Sequence, residues 1–86
     1  MADDGRRQVE ALRLRQNQEL LAVLEEEQRA EQQRELMIER VDGATERRRL
    51  EKIFGIERAK ASERIMRKTE AHEAALADKL AGLGMA

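Results

Sequence analysis

The sequence predicts an all-α protein of one or two long extended helices, without an independent globular core. Charged residues make up 41% of the 86 residues, and Phe54 is the single Phe, Tyr or Trp. Ala, Glu, Arg, Leu and Gln dominate the composition, and these residues favour helices. Once the 13 Ala are set aside, only 22 apolar side chains remain to offset the entropy lost on ordering the chain. We therefore expect the chain to need a partner surface for full order.

Helix-forming and helix-breaking residues divide the chain into four segments. Residues 1–5 are expected to be a disordered leader, and residues 6–42 form the first helix because little within them breaks a helix. Asp42-Gly43 is the first helix-breaking pair and predicts a hinge. Residues 43–81 form the second helix, and residues 82–86, with two glycines, form a C-terminal tail.

The path of the chain at Asp42-Gly43 has two alternatives. The helices either continue as one rod of more than about 100 Å, or fold back as an antiparallel hairpin. Residues 1–43 carry seven basic and eleven acidic side chains, a net charge of −4. Residues 44–86 carry ten basic and seven acidic side chains, a net charge of +3. These opposite charges favour the hairpin.

Two residues carry local predictions for the second helix. Thr45 is its expected N-cap, since a hydroxyl can accept a hydrogen bond from a free backbone N–H. Gly55 lies inside the helix, where Gly costs about 1 kcal/mol relative to Ala. It therefore marks either a kink or a close approach of another backbone.

Apolar residues, joined by His72 in one series, recur at intervals of eleven along both halves of the chain. The series are Val9/Leu20, Leu12/Val23, Phe54/Ile65/Leu76 and Leu50/Ala61/His72/Leu83. Eleven residues make three helical turns, so each series lies on one side of its helix. A strict heptad repeat is absent, and residues 25–35 contain no apolar residue larger than Ala30. This pattern argues against a self-contained leucine zipper and favours a helix lying on another surface.

The sequence offers no group of residues that is typical of an enzyme or a cofactor site. His72 is the single His and Cys is absent, so no His/Cys metal site can assemble. Ser62, Thr45 and Thr69 lack the His and Asp partners that nucleophilic catalysis requires. We therefore predict a non-enzymatic protein with no cofactor, no metal and no small-molecule substrate.

Hydropathy and the N-terminal residues bear on the compartment. The longest apolar runs, Leu20–Leu24 and Leu36–Ile38, are far shorter than a membrane span. Met1–Gly5 is acidic and unlike a secretory signal or a transit peptide. Together with the lack of Cys, this predicts a reducing compartment, either the cytoplasm, the nucleus or a space continuous with the cytosol, and no membrane partner.

Arg47-Arg48-Arg49 is the strongest basic cluster. The neighbouring Glu46 and Glu51, the net charge of −1 and the lack of stacking aromatic residues argue against nucleic-acid binding. Arg binds carboxylates through two parallel hydrogen bonds. An acidic protein surface is therefore the expected partner.

Residues Arg15–Leu36 show an initial Arg, a Leu-x-x-Leu at Leu21 and Leu24, a Glu/Gln-rich run, and a closing Glu-Leu. This pattern resembles a segment of small helical microtubule inner proteins of ciliary and flagellar doublet microtubules. It covers about a quarter of the chain. In that family an aromatic residue commonly precedes the Glu-Leu, whereas Glu31 and Gln32 stand there in this chain.

The resemblance implies a non-enzymatic brace that binds tubulin and neighbouring axonemal proteins and stabilises the axoneme. It implies a place in the cytoskeleton, in the axoneme of a cilium or flagellum. The residues expected to contact acidic tubulin are Arg13, Arg15, Arg47, Arg48 and Arg49. The expected apolar anchors are Leu20, Leu21, Leu24, Leu36, Leu50, Ile53, Phe54, Ile65 and Leu76.

Two other functions remain open from the sequence. The chain could be a coiled-coil adaptor or assembly subunit of another multiprotein complex. The opposite charges of its two halves favour this hypothesis. It could also be a helical inhibitor of an ATPase. The long helices and His72 permit that function, and the acidic N-terminus argues against it.

Overall fold

The computed structural model describes residues 2–85. They form two α-helices, α1 (Ala2–Arg40) and α2 (Ala44–Gly82), joined by residues 41–43. The described residues contain no strand, and their principal extents are 65 × 16 × 9 Å. This elongated shape leaves no room for a compact globular core, so the predicted fold class is confirmed.

α2 folds back antiparallel to α1 over the whole length of the helices. Near the middle, Arg58 bonds to Glu31, and farther from the hinge the Gln16 side chain donates to the His72 carbonyl oxygen at 2.9 Å. At the open end, a Cβ added to Gly5 would lie 3.6 Å from the Met85 sulfur. The hairpin alternative is therefore the one that the structure adopts, and the single continuous rod is not.

The start of α1 differs from the prediction. Ala2–Gly5, expected to belong to a disordered leader, is helical, and Met1 lies outside the described residues. An acidic side chain such as Asp4 is favourable near the positive end of the helix dipole. Asp4 also accepts a hydrogen bond from Gln8 Nε2 at 3.2 Å, one turn further on. These local interactions, together with the closeness of Gly5 to Leu83, whose side chain would lie 3.8 Å from a Cβ added to Gly5, extend the helix beyond the predicted start.

The hinge forms where the sequence predicts it, but its cap is different. Gly43 is the N-cap of α2, with an extended backbone and no side-chain cap hydrogen bond. Thr45, the expected cap, lies inside the helix, so that prediction is wrong. Arg47 secures the turn instead, because its backbone N–H donates to the Gly43 carbonyl at 3.0 Å and its Nη2 donates to the Val41 carbonyl at 3.1 Å.

α2 continues without interruption to Gly82 and ends close to the predicted stop. Gly84 has a positive φ of 70°, and the Met85 N–H donates to the Leu80 carbonyl at 2.8 Å, which closes the last turn. α2 also passes through Gly55, where an added Cβ would meet no atom within 4 Å. The close approach of a second backbone that Gly55 was expected to mark does not occur among the described residues.

Candidate functional site

The two apolar stripes with eleven-residue spacing meet along the hairpin and form its helix–helix interface. Val9, Phe54 and Ala61 are the most buried apolar residues, with exposures of 7%, 5% and 3%. The half-buried members of the stripes are Leu12, Leu20, Val23, Leu50, Ile65, His72, Leu76 and Leu83. The stripes therefore cover each other, whereas the sequence analysis expected another surface to cover them.

Charged side chains fill the apolar gap that the sequence shows at residues 25–35. Arg34 is only 8% exposed. Its Nη1 donates to Glu27 at 2.7 Å and to Glu31 at 3.1 Å, and its Nε donates across the hairpin to Glu57 at 3.4 Å. Because the donors of one guanidinium reach both helices, this cluster holds the helices in register.

Arg58 forms the second ionic link between the helices. Its Nε and Nη2 donate to the two carboxylate oxygens of Glu31 at 2.8 Å and 2.9 Å, in bidentate geometry. The Arg58 hydrogen bond is the main reason that the pKa of Glu31 is lowered; burial opposes it and the Arg34 hydrogen bond assists it. The hydrogen bond to Glu27 raises the pKa of Arg34, and the hydrogen bond to Glu31 raises that of Arg58. These partners therefore remain charged at neutral pH.

A smaller polar cluster surrounds His72 in the same interface. Glu19 Oε2 lies 3.0 Å from His72 Nε2 and 3.8 Å from Lys68 Nζ. Within residues 2–85 no three potential metal-ligating side chains come together. The position of His72 between the helices gives it a packing and hydrogen-bonding role.

The structure divides the nine predicted apolar anchors into two groups. Those in the helix–helix interface are Leu20, Leu50, Phe54, Ile65 and Leu76. Those that stay exposed, by 56%, 44%, 43% and 47%, are Leu21, Leu24, Leu36 and Ile53. While the hairpin is closed, the exposed group is available to a partner, and of the interface group the half-buried Ile65 also lines an open groove.

The five predicted basic contacts are exposed but do not form one patch. Arg47, Arg48 and Arg49 stand in the first turns of α2, at the hinge. Arg13 and Arg15 lie in the first half of α1, about 45 Å from the hinge at 1.5 Å per residue. Any acidic partner surface that meets both groups must extend along the hairpin.

Two exposed surfaces carry five of the large apolar residues that the hairpin leaves exposed, and the sequence analysis missed two of the five, Leu14 and Met66. The outer face of α1 presents Leu14, Leu21 and Leu36, because Leu14 and Leu36 are six turns apart and Leu21 is nearly two turns from Leu14. A second surface, the groove face, runs along one side of the hairpin. The residues that we use to define it are Leu24, Glu35, Arg58, Ile65, Met66 and Glu73.

None of the exposed large apolar residues in the described chain belongs to the eleven-residue series, and the most exposed of those outside the predicted anchors are Leu14, Ile56 and Met66. Their exposures are 60%, 53% and 60%. In the sequence, Leu14 lies off the apolar stripes. That position was the signal from which the outer face of α1 could have been predicted, since an apolar residue off the interface stripe indicates a second contact surface.

The chain matches no protein-family model, no curated protein and no solved structure. Neither helix of the described chain is long and apolar enough to cross a membrane.

Proposed function

We propose that this chain is a non-enzymatic structural protein that binds as a two-helix rod along the tubulin lattice of ciliary or flagellar doublet microtubules. The observation that carries the proposal is the row of leucines on the outer face of α1. Leu14, Leu21 and Leu36 remain 60%, 56% and 43% exposed although the hairpin has formed its own interface. Large apolar residues that recur along one exposed face are typical of a protein-binding surface.

The sequence and the dimensions of the hairpin support tubulin as the partner. The segment Arg15–Leu36, which resembles microtubule inner proteins, contains two of the three outer-face leucines. A tubulin lattice is acidic and offers long grooves between protofilaments. Extents of 65 × 16 × 9 Å and arginines at both ends of the hairpin suit such a groove. Binding along it would stabilise both the lattice and the hairpin.

Localisation of a tagged full-length chain in a ciliated cell tests the proposal. We expect the chain to remain with isolated axonemes after detergent and salt extraction. The triple variant Leu14→Ser/Leu21→Ser/Leu36→Ser should be lost from the axoneme, whereas Ile56→Ser, a control with comparable exposure on α2, should remain. Absence of the unmodified chain from axonemes would remove tubulin as the partner.

A second candidate is an adaptor or assembly subunit of another multiprotein complex. The antiparallel hairpin favours it, because an acidic α1 pairs with a basic α2 and the two cover a stripe of their own. Cosedimentation of the isolated chain with polymerised tubulin separates the candidates. Pelleting with the polymer supports the lattice-bound brace, and a chain that stays in the supernatant supports the adaptor.

A further inference from the structure

We propose that the groove face binds a second copy of this chain, so that two hairpins pack face to face and antiparallel as a four-helix bundle. This surface is separate from the outer face of α1, and the inference goes beyond the proposed function. It depends on how charged and apolar residues are spaced along the groove face.

Arg13, Leu24 and Glu35 lie in one line along α1. Each is eleven residues from the next, which is three turns and about 16.5 Å. Leu24 and Glu35 line the same open groove beside Arg58. The spacing therefore places Arg13 on the groove face as well, toward the open end of the hairpin.

Consider a two-fold axis that lies between the two facing hairpins, perpendicular to their helices and level with Leu24. It makes the charges along this line complementary to those of the second copy. Leu24 then meets Leu24 of the second copy. Arg13 meets Glu35 of the second copy, because both are the same distance from Leu24. Each contact of an isologous dimer occurs twice, so the arrangement pairs opposite charges at both ends of an apolar centre.

α2 continues the same arrangement. Ile65 is level with Leu24, because each lies seven residues from the Glu31–Arg58 pair that joins the helices. Leu24 is 44% exposed, and Met66, which follows Ile65 in the chain, is 60% exposed, so both add apolar surface near the axis. Glu73 and Arg58 lie eight and seven residues from Ile65 in opposite directions. The axis therefore brings Glu73 level with Arg58 of the second copy, whose side chain is 42% exposed.

The exposed area is sufficient for such a contact. The chain exposes 6996 Å². A compact monomeric protein of this mass, 9.9 kDa, would expose about 5,200 Å². A stable interface of standard size buries about 800 Å² on each partner. A second copy can therefore cover the groove face and leave the outer face of α1 free for another protein.

Sedimentation velocity and light scattering of the full chain test the proposal. We expect a species of twice 9.9 kDa at tens of micromolar, weakened by high salt because exposed ion pairs are screened. Arg13→Glu and Glu35→Arg each place like charges together at two points, and each should raise the Kd by about tenfold or more. The double variant Arg13→Glu/Glu35→Arg restores opposite charges and should recover the dimer. A mixture of the two single variants should form the heterodimer.

Arg15→Glu and Glu26→Arg are matched controls, because these residues are also eleven apart and have the same charges. They lie two residues, about 200° of helix rotation, beyond Arg13 and Leu24. They should leave the Kd unchanged, and circular dichroism will show that every variant remains helical. A monomeric unmodified chain at 100 µM would overturn the proposal, as would a double variant no tighter than the single variants. These outcomes are independent of localisation to axonemes.

Discussion

Phe54→Ala measures how much the helix–helix interface stabilises the hairpin. Phe54 is 5% exposed and is the single Phe, Tyr or Trp of the chain. Truncation to Ala removes about 100 Å² of buried apolar surface, worth about 2.5 kcal/mol at 25 cal/mol per Å². The better helix propensity of Ala offsets about 0.5 kcal/mol of this loss. We therefore expect a loss of about 2 kcal/mol, below the 3–5 kcal/mol that is typical of enclosed cores.

Thermal unfolding followed by circular dichroism at 222 nm, at one fixed protein concentration, is the assay. For a chain of this size, about 2 kcal/mol lowers the Tm by about 8–15 °C. Ile53→Ala is the matched control, because Ile53 precedes Phe54 on the same helix but is 47% exposed. We expect the control to lower the Tm by less than a third as much. Equal shifts for the two variants would refute the conclusion that Phe54 is buried against α1.

Three further predictions concern the charged cluster and the glycines. Arg34→Ala should lower the urea midpoint more than truncation of the exposed Arg29, because it leaves carboxylates without their cation. The lowered pKa of Glu31 means that its contribution to stability is present above its ordinary pKa of 4.5 and is lost as pH falls through the lowered value. Urea titrations from pH 6 to pH 3 should therefore show a falling midpoint, with a shallower fall for Glu31→Gln. Gly55→Ala should stabilise the hairpin by about 0.5–1 kcal/mol because a Cβ there meets open space. Gly84→Ala, at a positive φ of 70°, should not raise the Tm.

Much of the secondary structure could be predicted from the sequence. The long helices follow from composition, and the hinge follows from Asp42-Gly43, the first helix-breaking pair. The eleven-residue spacing identified residues that line the interface, since Phe54, Ile65 and Leu76 form one such series and all lie between the helices. Periodicity within one helix reports which residues share a side, and it does so without knowledge of the partner.

What covers each stripe could not be predicted, because it depends on the register between two distant segments. Residues 25–35 interrupt the apolar pattern in the sequence. The sequence analysis therefore expected a surface outside the chain to cover the stripe. In the hairpin, Arg34 fills this gap with its aliphatic stem and satisfies its guanidinium with Glu27, Glu31 and Glu57. That arrangement requires Glu57 to come level with Arg34, and spacing within one helix carries no information on that point.

The same limit applies to the candidate site. The sequence analysis grouped all nine apolar anchors as contacts to a partner, because the spacing of one helix cannot separate an internal interface from an external one. The structure assigns five of them to the helix–helix interface and leaves Leu21, Leu24, Leu36 and Ile53 exposed. The outer face of α1 and the groove face then follow from the direction of each residue relative to α2.

The central claim is that the two eleven-residue stripes cover each other in one antiparallel hairpin. Double electron–electron resonance between spin labels on Arg7→Cys and Ala81→Cys tests it directly, since the chain has no other Cys. The doubly labelled chain is diluted in an excess of unlabelled chain, so that only distances within one molecule are measured. The hairpin predicts a narrow distribution at about 15–30 Å, from helix axes about 10 Å apart and two label linkers. A continuous rod would separate the labels by about 110 Å, and the absence of the short distance would contradict the hairpin.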